Sequence, residues 1–159
     1  MLFLQKMAAV FCLLFLCVSS QANANSYLKD SPIGYWKTID DVTGKPKSII
    51  HIWKNDKQDL VGQVIQIFPK PGEDQHKICE KCKGDLHGKP IVGMVILSGL
   101  KASEQQWDQG HILDPENGKT YSCSIRTAEN GKKLKVHGYI GIPLFGRSQV
   151  WQRVDLLSG

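Results

Sequence analysis

Eight short runs rich in β-branched and aromatic residues, each bounded by turn chemistry, constrain this chain more than any other feature. They occupy residues 34–40, 48–53, 60–68, 92–97, 106–113, 120–127, 133–140 and 148–154. Branched and aromatic side chains fit the pleated surface of a sheet, and apolar–polar alternation marks a strand with one buried face. Between the runs stand Thr43-Gly44-Lys45, Asn55-Asp56-Lys57, Asp114-Pro115-Glu116-Asn117-Gly118 and Glu129-Asn130-Gly131. Asn-Gly pairs accept the positive φ that tight turns require. In the 114–118 stretch Asp caps the turn, Pro presets φ and Gly takes the left-handed position. No segment carries a long helical period; residues 100–106 are the one place where a turn or two of helix is expected. Strands joined mostly by short turns close as an antiparallel meander. The expected fold is all-β, a single up-and-down antiparallel barrel of about eight strands.

Alternation assigns faces. Leu134, Val136 and Gly138 oppose Lys133, Lys135 and His137; Tyr121, Cys123 and Ile125 oppose Ser122, Ser124 and Arg126. The apolar sets belong inside, which buries Cys123.

Residues 1–24 have the three parts of a secretory signal: Lys6 as the positive region, the apolar stretch 7–18, and the polar break Ser19-Ser20-Gln21 before Ala22-Asn23-Ala24, a small-x-small cleavage site. Cleavage after Ala24 leaves residues 25–159 as one domain, long enough to bury a core unaided. The apolar stretch falls short of the roughly 20 residues of a spanning helix, which argues against an uncleaved anchor. Leu16 stands where a lipoprotein signal has a small residue, which argues against lipidation at Cys17. A periplasmic or secreted protein is expected. An integral outer-membrane barrel would need strands of about 9–11 residues with an apolar outer band. Most runs here are shorter, and lysines recur on the expected outer faces. The formal charge of +5 is spread along the chain rather than gathered in a stripe, so nucleic acid is not an expected partner.

Of five cysteines, Cys12 and Cys17 leave with the signal. Cys79, Cys82 and Cys123 remain where disulfides persist, and an odd number leaves one to explain. Cys79 and Cys82 lie in residues 69–90, a long polar connection of the kind that is functional, disordered or tied down. Three readings of this C-x-x-C pair stand side by side. A structural Cys79–Cys82 disulfide would contribute about 2 kcal/mol by loop entropy. A bridge from either to Cys123 would contribute about 4 kcal/mol but needs Cys123 to face the loop. Proximity favours the short bridge. Alternatively, His76, Cys79, Cys82 and His87 supply four N/S ligands of the type zinc accepts. The third reading is redox chemistry, which normally uses a C-x-x-C at a helix N-terminus, and no helix pattern follows here.

Trp36, Trp53, Trp107 and Trp151 are many for so short a chain, and Tyr35, Tyr121 and Tyr139 add amphipathic rings. Such rings either fill a small barrel or line a concave site. Trp53, Trp107, Tyr121 and Tyr139 are the candidates for ligand contact. Residues 138–147 form an apolar, glycine-flanked connection. If exposed, its Ile142, Leu144, Phe145 and Arg147 are candidate contacts for a partner; alternatively Leu144 and Phe145 fold over one end of the barrel. Catalytic patterns such as Gly-x-Ser-x-Gly and His-Glu-x-x-His do not occur. His51, His111 and His137 are isolated, and His111 beside Asp108 or Asp114 is the one conceivable base. The reading leans away from an enzyme, and no cofactor is expected.

Four ordered motifs carry a resemblance. They are Gly-Tyr-Trp-Lys-Thr at 34–38, Gly-His-Ile-Leu-Asp-Pro-Glu-Asn-Gly-Lys-Thr-Tyr-Ser-Cys at 110–123, Gly-Tyr-Ile-Gly at 138–141, and Gly-Arg-Ser-Gln-Val-Trp-Gln-Arg at 146–153. Together they resemble the exported bacterial family catalogued as domain of unknown function 2147, a resemblance that implies no catalytic residues. A Gly-x-Trp on the first strand and an Arg on the last also resemble the lipocalin pattern. That implies Trp36 and Arg153 as a pair closing one barrel end, with cation–π packing as its physical basis. The expected function is binding of a small, partly apolar ligand in the barrel mouth. The alternatives are an envelope interaction module acting through the long loops, or a metal or redox role for Cys79 and Cys82.

Overall fold

The computed structural model describes residues 30–155, so the expected signal and its cleavage site lie outside the described residues. Eight strands follow one another: β1 (Gly34–Ile39), β2 (Pro46–Lys54), β3 (Leu60–Ile67), β4 (Val95–Ala102), β5 (Trp107–Asp114), β6 (Lys119–Ala128), β7 (Lys133–Tyr139) and β8 (Gly146–Val154). Each pairs antiparallel with the next, and β8 returns to β1, so the sheet is a closed up-and-down barrel. One short 3-10 turn, Gly84–Leu86, lies in the β3–β4 connection.

The expected helical turn at 100–106 is absent; β4 begins at Val95, later than expected, and runs through Leu100 to Ala102. Gly99 explains the signal. It takes φ +68°, and the ladder shifts so that Leu97 faces Gly62 while Leu100 faces Leu60. Both leucines are fully buried. Two inward side chains three residues apart are a bulged strand's imitation of helical spacing.

The interior is packed by Trp36, Ile52, Leu60, Leu100, Ile125 and Leu134 in the half of the barrel where β1 begins. Small residues opposite large ones make this fit possible. A Cβ on Gly110 would lie 2.4 Å from Leu100 Cγ and 2.9 Å from the Ser98 carbonyl oxygen. Burying each such leucine contributes about 1.5–3 kcal/mol.

This end is sealed by Arg153. Its guanidinium lies 4.2 Å from the centroid of the Trp36 ring. Nη1 donates to the Ile33 carbonyl at 2.9 Å, Nη2 to that of Ser31, and Nε to that of Gly131. Trp36 Nε1 donates to the Pro32 carbonyl at 2.7 Å. Residues 30–33 are thereby held across the barrel end, with Thr127 Oγ1 donating to the Asp30 carbonyl. At the opposite end the chain makes its longer connections, and the barrel stays open there.

Gly110→Ala should therefore destabilise the fold by about 1–3 kcal/mol through overpacking. Urea denaturation should show a lower midpoint at an unchanged slope. A wild-type midpoint would mean that Leu100 does not fill that position.

Candidate functional site

The other end of the barrel, opposite Arg153, opens into a cleft whose deepest walls, Val136 and Trp151, belong to the buried core. A cavity of about 530 Å³ descends among Thr38, Ile112, Tyr121, Val136, Gln149 and Trp151. Alternation on β8 sets its inner wall from rim to floor as Arg147, Gln149 and Trp151, with Arg153 beyond at the sealed end. A hydrogen-bond chain climbs this wall. Trp151 Nε1 donates to Gln149 Oε1 at 3.2 Å, Gln149 Nε2 donates to Asp41 Oδ2 at 2.9 Å, and Arg147 pairs with the same Asp41 oxygen. Beside this wall, on the adjoining strands β1 and β2, Thr38 Oγ1 and Ser48 Oγ lie 2.7 Å apart. The Tyr121 hydroxyl accepts from Asn117 Nδ2 at 3.0 Å. The cavity thus has an apolar floor and a polar rim, the composition of a small-molecule site.

The rim turns are self-capped. Asp40 Oδ1 accepts from the Thr43 amide at 2.7 Å, from the Thr43 hydroxyl and from the Val42 amide. Those bonds, the Thr43 amide first, hold its carboxyl below the usual range. Asp114 caps the β5–β6 turn, accepting from the Glu116 amide and Asn117 Nδ2. Glu116 on that turn reaches Lys47 on β2, with Oε2 and Nζ 2.8 Å apart. Those two elements are not neighbours in the sheet, so the pair is a strut over the mouth. On its other side lies a second chamber of about 540 Å³, walled by Val64, Ile67, Phe68 and Ile91.

The β3–β4 connection is tied down. Cys79 and Cys82 form a disulfide. The Cys79 amide donates to the Lys89 carbonyl, the Gly88 amide to that of Cys79, and the Ile91 amide to that of Lys77. The resulting finger docks on the β5–β6 turn. Cys79 Sγ lies 3.3 Å from the Pro115 carbonyl oxygen, and a Cβ on Gly118 would fall 1.8 Å from that of Lys81. Both sulfurs are buried, which denies a thiolate access for exchange. Joined in a disulfide, they are not thiolate ligands for a metal. His87 Nδ1 lies 3.2 Å from the Cys82 carbonyl oxygen, His76 is exposed, and among the described residues no three His, Cys, Asp or Glu side chains converge.

The four ring candidates fall in different places. Tyr121 lines the cavity and Tyr139 its rim. Trp53 is on the outer face, its ring centroid 5.2 Å from His51, which in turn stacks 4.5 Å from Tyr35. Trp107 lies at the sealed end, with Lys54 Nζ 5.3 Å from its centroid. The tryptophan at the cavity is Trp151, which sequence reasoning left out although its alternation with Gln149 and Arg147 already marks it as inward. Thr38, Ser48 and the Lys47–Glu116 strut were also missed; the last is a contact between distant segments with no local signature. His111 is exposed on β5, outside both chambers.

Leu144 and Phe145 do not fold over the barrel end. They are 80% and 73% exposed, beside the exposed Ile140 and Ile142. The Phe145 amide donates to the Ile142 carbonyl, and His137 Nε2 lies 2.8 Å from the Pro143 carbonyl oxygen. The loop is thereby drawn toward the outer face of β7. Phe145 still reaches the cavity rim.

Residues 34–153, from the first strand to the sealing arginine, match the family described as an uncharacterized protein conserved in bacteria, DUF2147. The chain belongs to the DUF2147 family. Among solved structures it is similar to protein HP1028 of the human pathogen Helicobacter pylori, described as belonging to the lipocalin family. The identity is 20% and the TM-score 0.67, over 80% of this chain and 86% of that one. At that identity the likeness is one of fold, and it shows this DUF2147 barrel to be lipocalin-like. No curated protein matches the chain.

The odd cysteine of this DUF2147 member, Cys123, is a buried free thiol on the inner face of β6. Burial pushes its pKa up to about 12. The folded state keeps the proton while the unfolded chain loses it near the ordinary value of 9.0. The thiol's stabilising contribution is therefore complete below that value and is lost as pH rises toward about 12. Cys123→Val should flatten stability against pH in that window. In the native protein the thiol should resist Ellman's reagent at pH 8 and react in denaturant; fast native labelling would contradict this placement.

Proposed function

We propose that this protein is an exported bacterial binding protein that holds a small, partly apolar ligand in the open mouth of its barrel. The observation that carries the proposal is the asymmetry of the barrel, sealed at the Arg153 end and opening into a cleft at the other. The cavity's volume lies within the roughly 300–1,000 Å³ typical of ligand sites. Its Trp151–Val136–Ile112 surface suits an apolar body, and Thr38, Ser48, Gln149 and Tyr121 suit a polar end. The lipocalin-like fold agrees with this use, as analogy.

Export is supported by the signal-like residues 1–24 and by the disulfide, a bond that persists in oxidising compartments. Among the described residues no helix is long and apolar enough to cross a membrane. The outer faces carry Lys37, His51, Arg126 and Lys135 while the interior is apolar, the reverse of a lipid-facing barrel. N-terminal sequencing of the protein recovered from a bacterial envelope should read Asn25 first; an intact Lys6 would contradict cleavage.

A second reading has one observation behind it. The exposed Ile140, Ile142, Leu144 and Phe145 form an apolar edge on the rim, of the kind that marks contact with another protein. It would make the molecule an envelope interaction module that uses this loop together with the β3–β4 finger.

Uptake of a dansyl-labelled fatty acid separates the two. Filling the cavity with Val136→Trp should weaken binding at least about tenfold, equivalent to 1.4 kcal/mol, whereas Trp53→Ala on the outer face should leave it unchanged. A probe that never binds, together with cross-links from residue 144 to one envelope protein, would favour the second reading.

A further inference from the structure

The two chambers at the mouth differ from a single lipid-holding cup in a specific way. They have nearly equal volumes, about 530 and 540 Å³, and each has its own apolar wall. The first is walled by Val136, Ile112 and Trp151, the second by Val64, Ile67 and Phe68. What they share is polar at the top and apolar below: Asp40, Lys47, Ser48, Asp114 and Glu116, over Ile96.

The second chamber is built rather than incidental. Its outer wall, Ile91 and Lys77, is fixed by the Ile91–Lys77 backbone hydrogen bond and by the Lys77–Glu73 ion pair at 2.6 Å. The disulfide holds the same finger against the β5–β6 turn. Phe68 presents an exposed ring to it, an apolar surface that core packing does not use.

The partition between them is weak. Both partners of the Lys47–Glu116 pair are substantially solvent-exposed, and pairs of that kind contribute at most about 1 kcal/mol. Asp40 and Asp114 are held by their own turns. The junction therefore offers hydrogen-bonding groups of both charge signs rather than a socket for a bare anion.

We propose that the ligand is a two-armed amphiphile, with one apolar arm in each chamber and its polar junction at the Lys47–Glu116 strut. This deepens the ligand-binding reading and rests on it. A single-chain amphiphile would fill one chamber and leave an equal apolar volume to water. A two-chain molecule of zwitterionic or neutral head fits both chambers and the junction together.

Native mass spectrometry of the delipidated full mature chain tests this with two probes, palmitate and dipalmitoyl phosphatidylethanolamine. The expected result is two palmitates, or one diacyl lipid, per chain. Ile67→Trp should cut palmitate from two to one and weaken the diacyl lipid at least about tenfold. Phe68→Asp, at an exposed position, should do the same without loading the core, so a misfolded Ile67→Trp does not decide the matter. One palmitate per chain, sensitive to Val136→Trp and indifferent to both second-chamber variants, would overturn the two-armed ligand and leave the single-cavity function standing. Neither probe binding would remove both.

Discussion

Arg153 sits where three pieces of chain meet: the segment before β1, the β6–β7 turn and the end of β8. The seam it guards is short. β1 and β8 are registered at three positions, as are β3 and β4, against seven between β7 and β8. A planar guanidinium with donors in a fixed fork can serve three carbonyls while its face covers the Trp36 ring, which a lysine ammonium cannot do. Burial lowers the pKa of Arg153 from its ordinary value. A charge taken partly out of water must be met by such partners or it destabilises the fold. Gly34 belongs to the same arrangement, since a Cβ there would approach Arg153 Nη1 to 2.8 Å.

With one end sealed in this way, up-and-down topology decides where function can sit. Connections alternate between the ends, so the β2–β3, β4–β5 and β6–β7 turns fall at the sealed end and remain short. The β1–β2, β3–β4, β5–β6 and β7–β8 connections surround the mouth. The disulfide finger, the Asp-Pro-Glu-Asn-Gly turn and the apolar 140–145 loop lie among these four, and the Lys47–Glu116 strut joins one of them to β2. They are mutually braced. The finger leans on Pro115 and Gly118, Glu116 of the same turn reaches β2, and Asp41 of the β1–β2 connection holds Arg147 at the start of β8. The mouth keeps its shape because its loops hold one another, and because the disulfide, Met94 and Ile96 beside them are themselves buried in the core.

This division also explains what could be read from the sequence. Strand order and number follow from side-chain alternation and turn residues, which act over a few positions, and the barrel is legible to that extent. The Trp36–Arg153 pairing came from motif resemblance rather than from spacing. Errors cluster where the backbone leaves ideal pleating. Gly99 at φ +68° turned a strand into an apparent helical turn. Gln109 at φ +59° shifts the register between Trp107 and Gly110, so counting by twos does not carry from Gly110 back to Trp107. Trp53 was legible: Ile50 and Ile52 face in, so His51 and Trp53 face out. The site was less legible than the fold because its defining contacts, Lys47 with Glu116 and Asp41 with Arg147 and Gln149, join segments tens of residues apart.

The cysteines show how the fold decides which of them pair. Among the described residues there are three, and loop entropy alone would favour the longer bridge to Cys123. The barrel prevents it by geometry. Cys123 pairs with Gly110 and Gly138 on the inner face of the sheet, where its sulfur is sealed from solvent and its pKa is about 12. A thiol that neither ionises nor meets another sulfur cannot exchange. Cys79 and Cys82 are then left to each other, and their bond closes a loop too small to stabilise the whole domain greatly. Its effect is local: it fixes the tip of the finger against the β5–β6 turn, which carries both the Asp114 cap and the Glu116 half of the strut. The disulfide is better understood as a brace for the mouth than as a general staple. A barrel already closed by Arg153 has less need of a staple than its open end has of a brace.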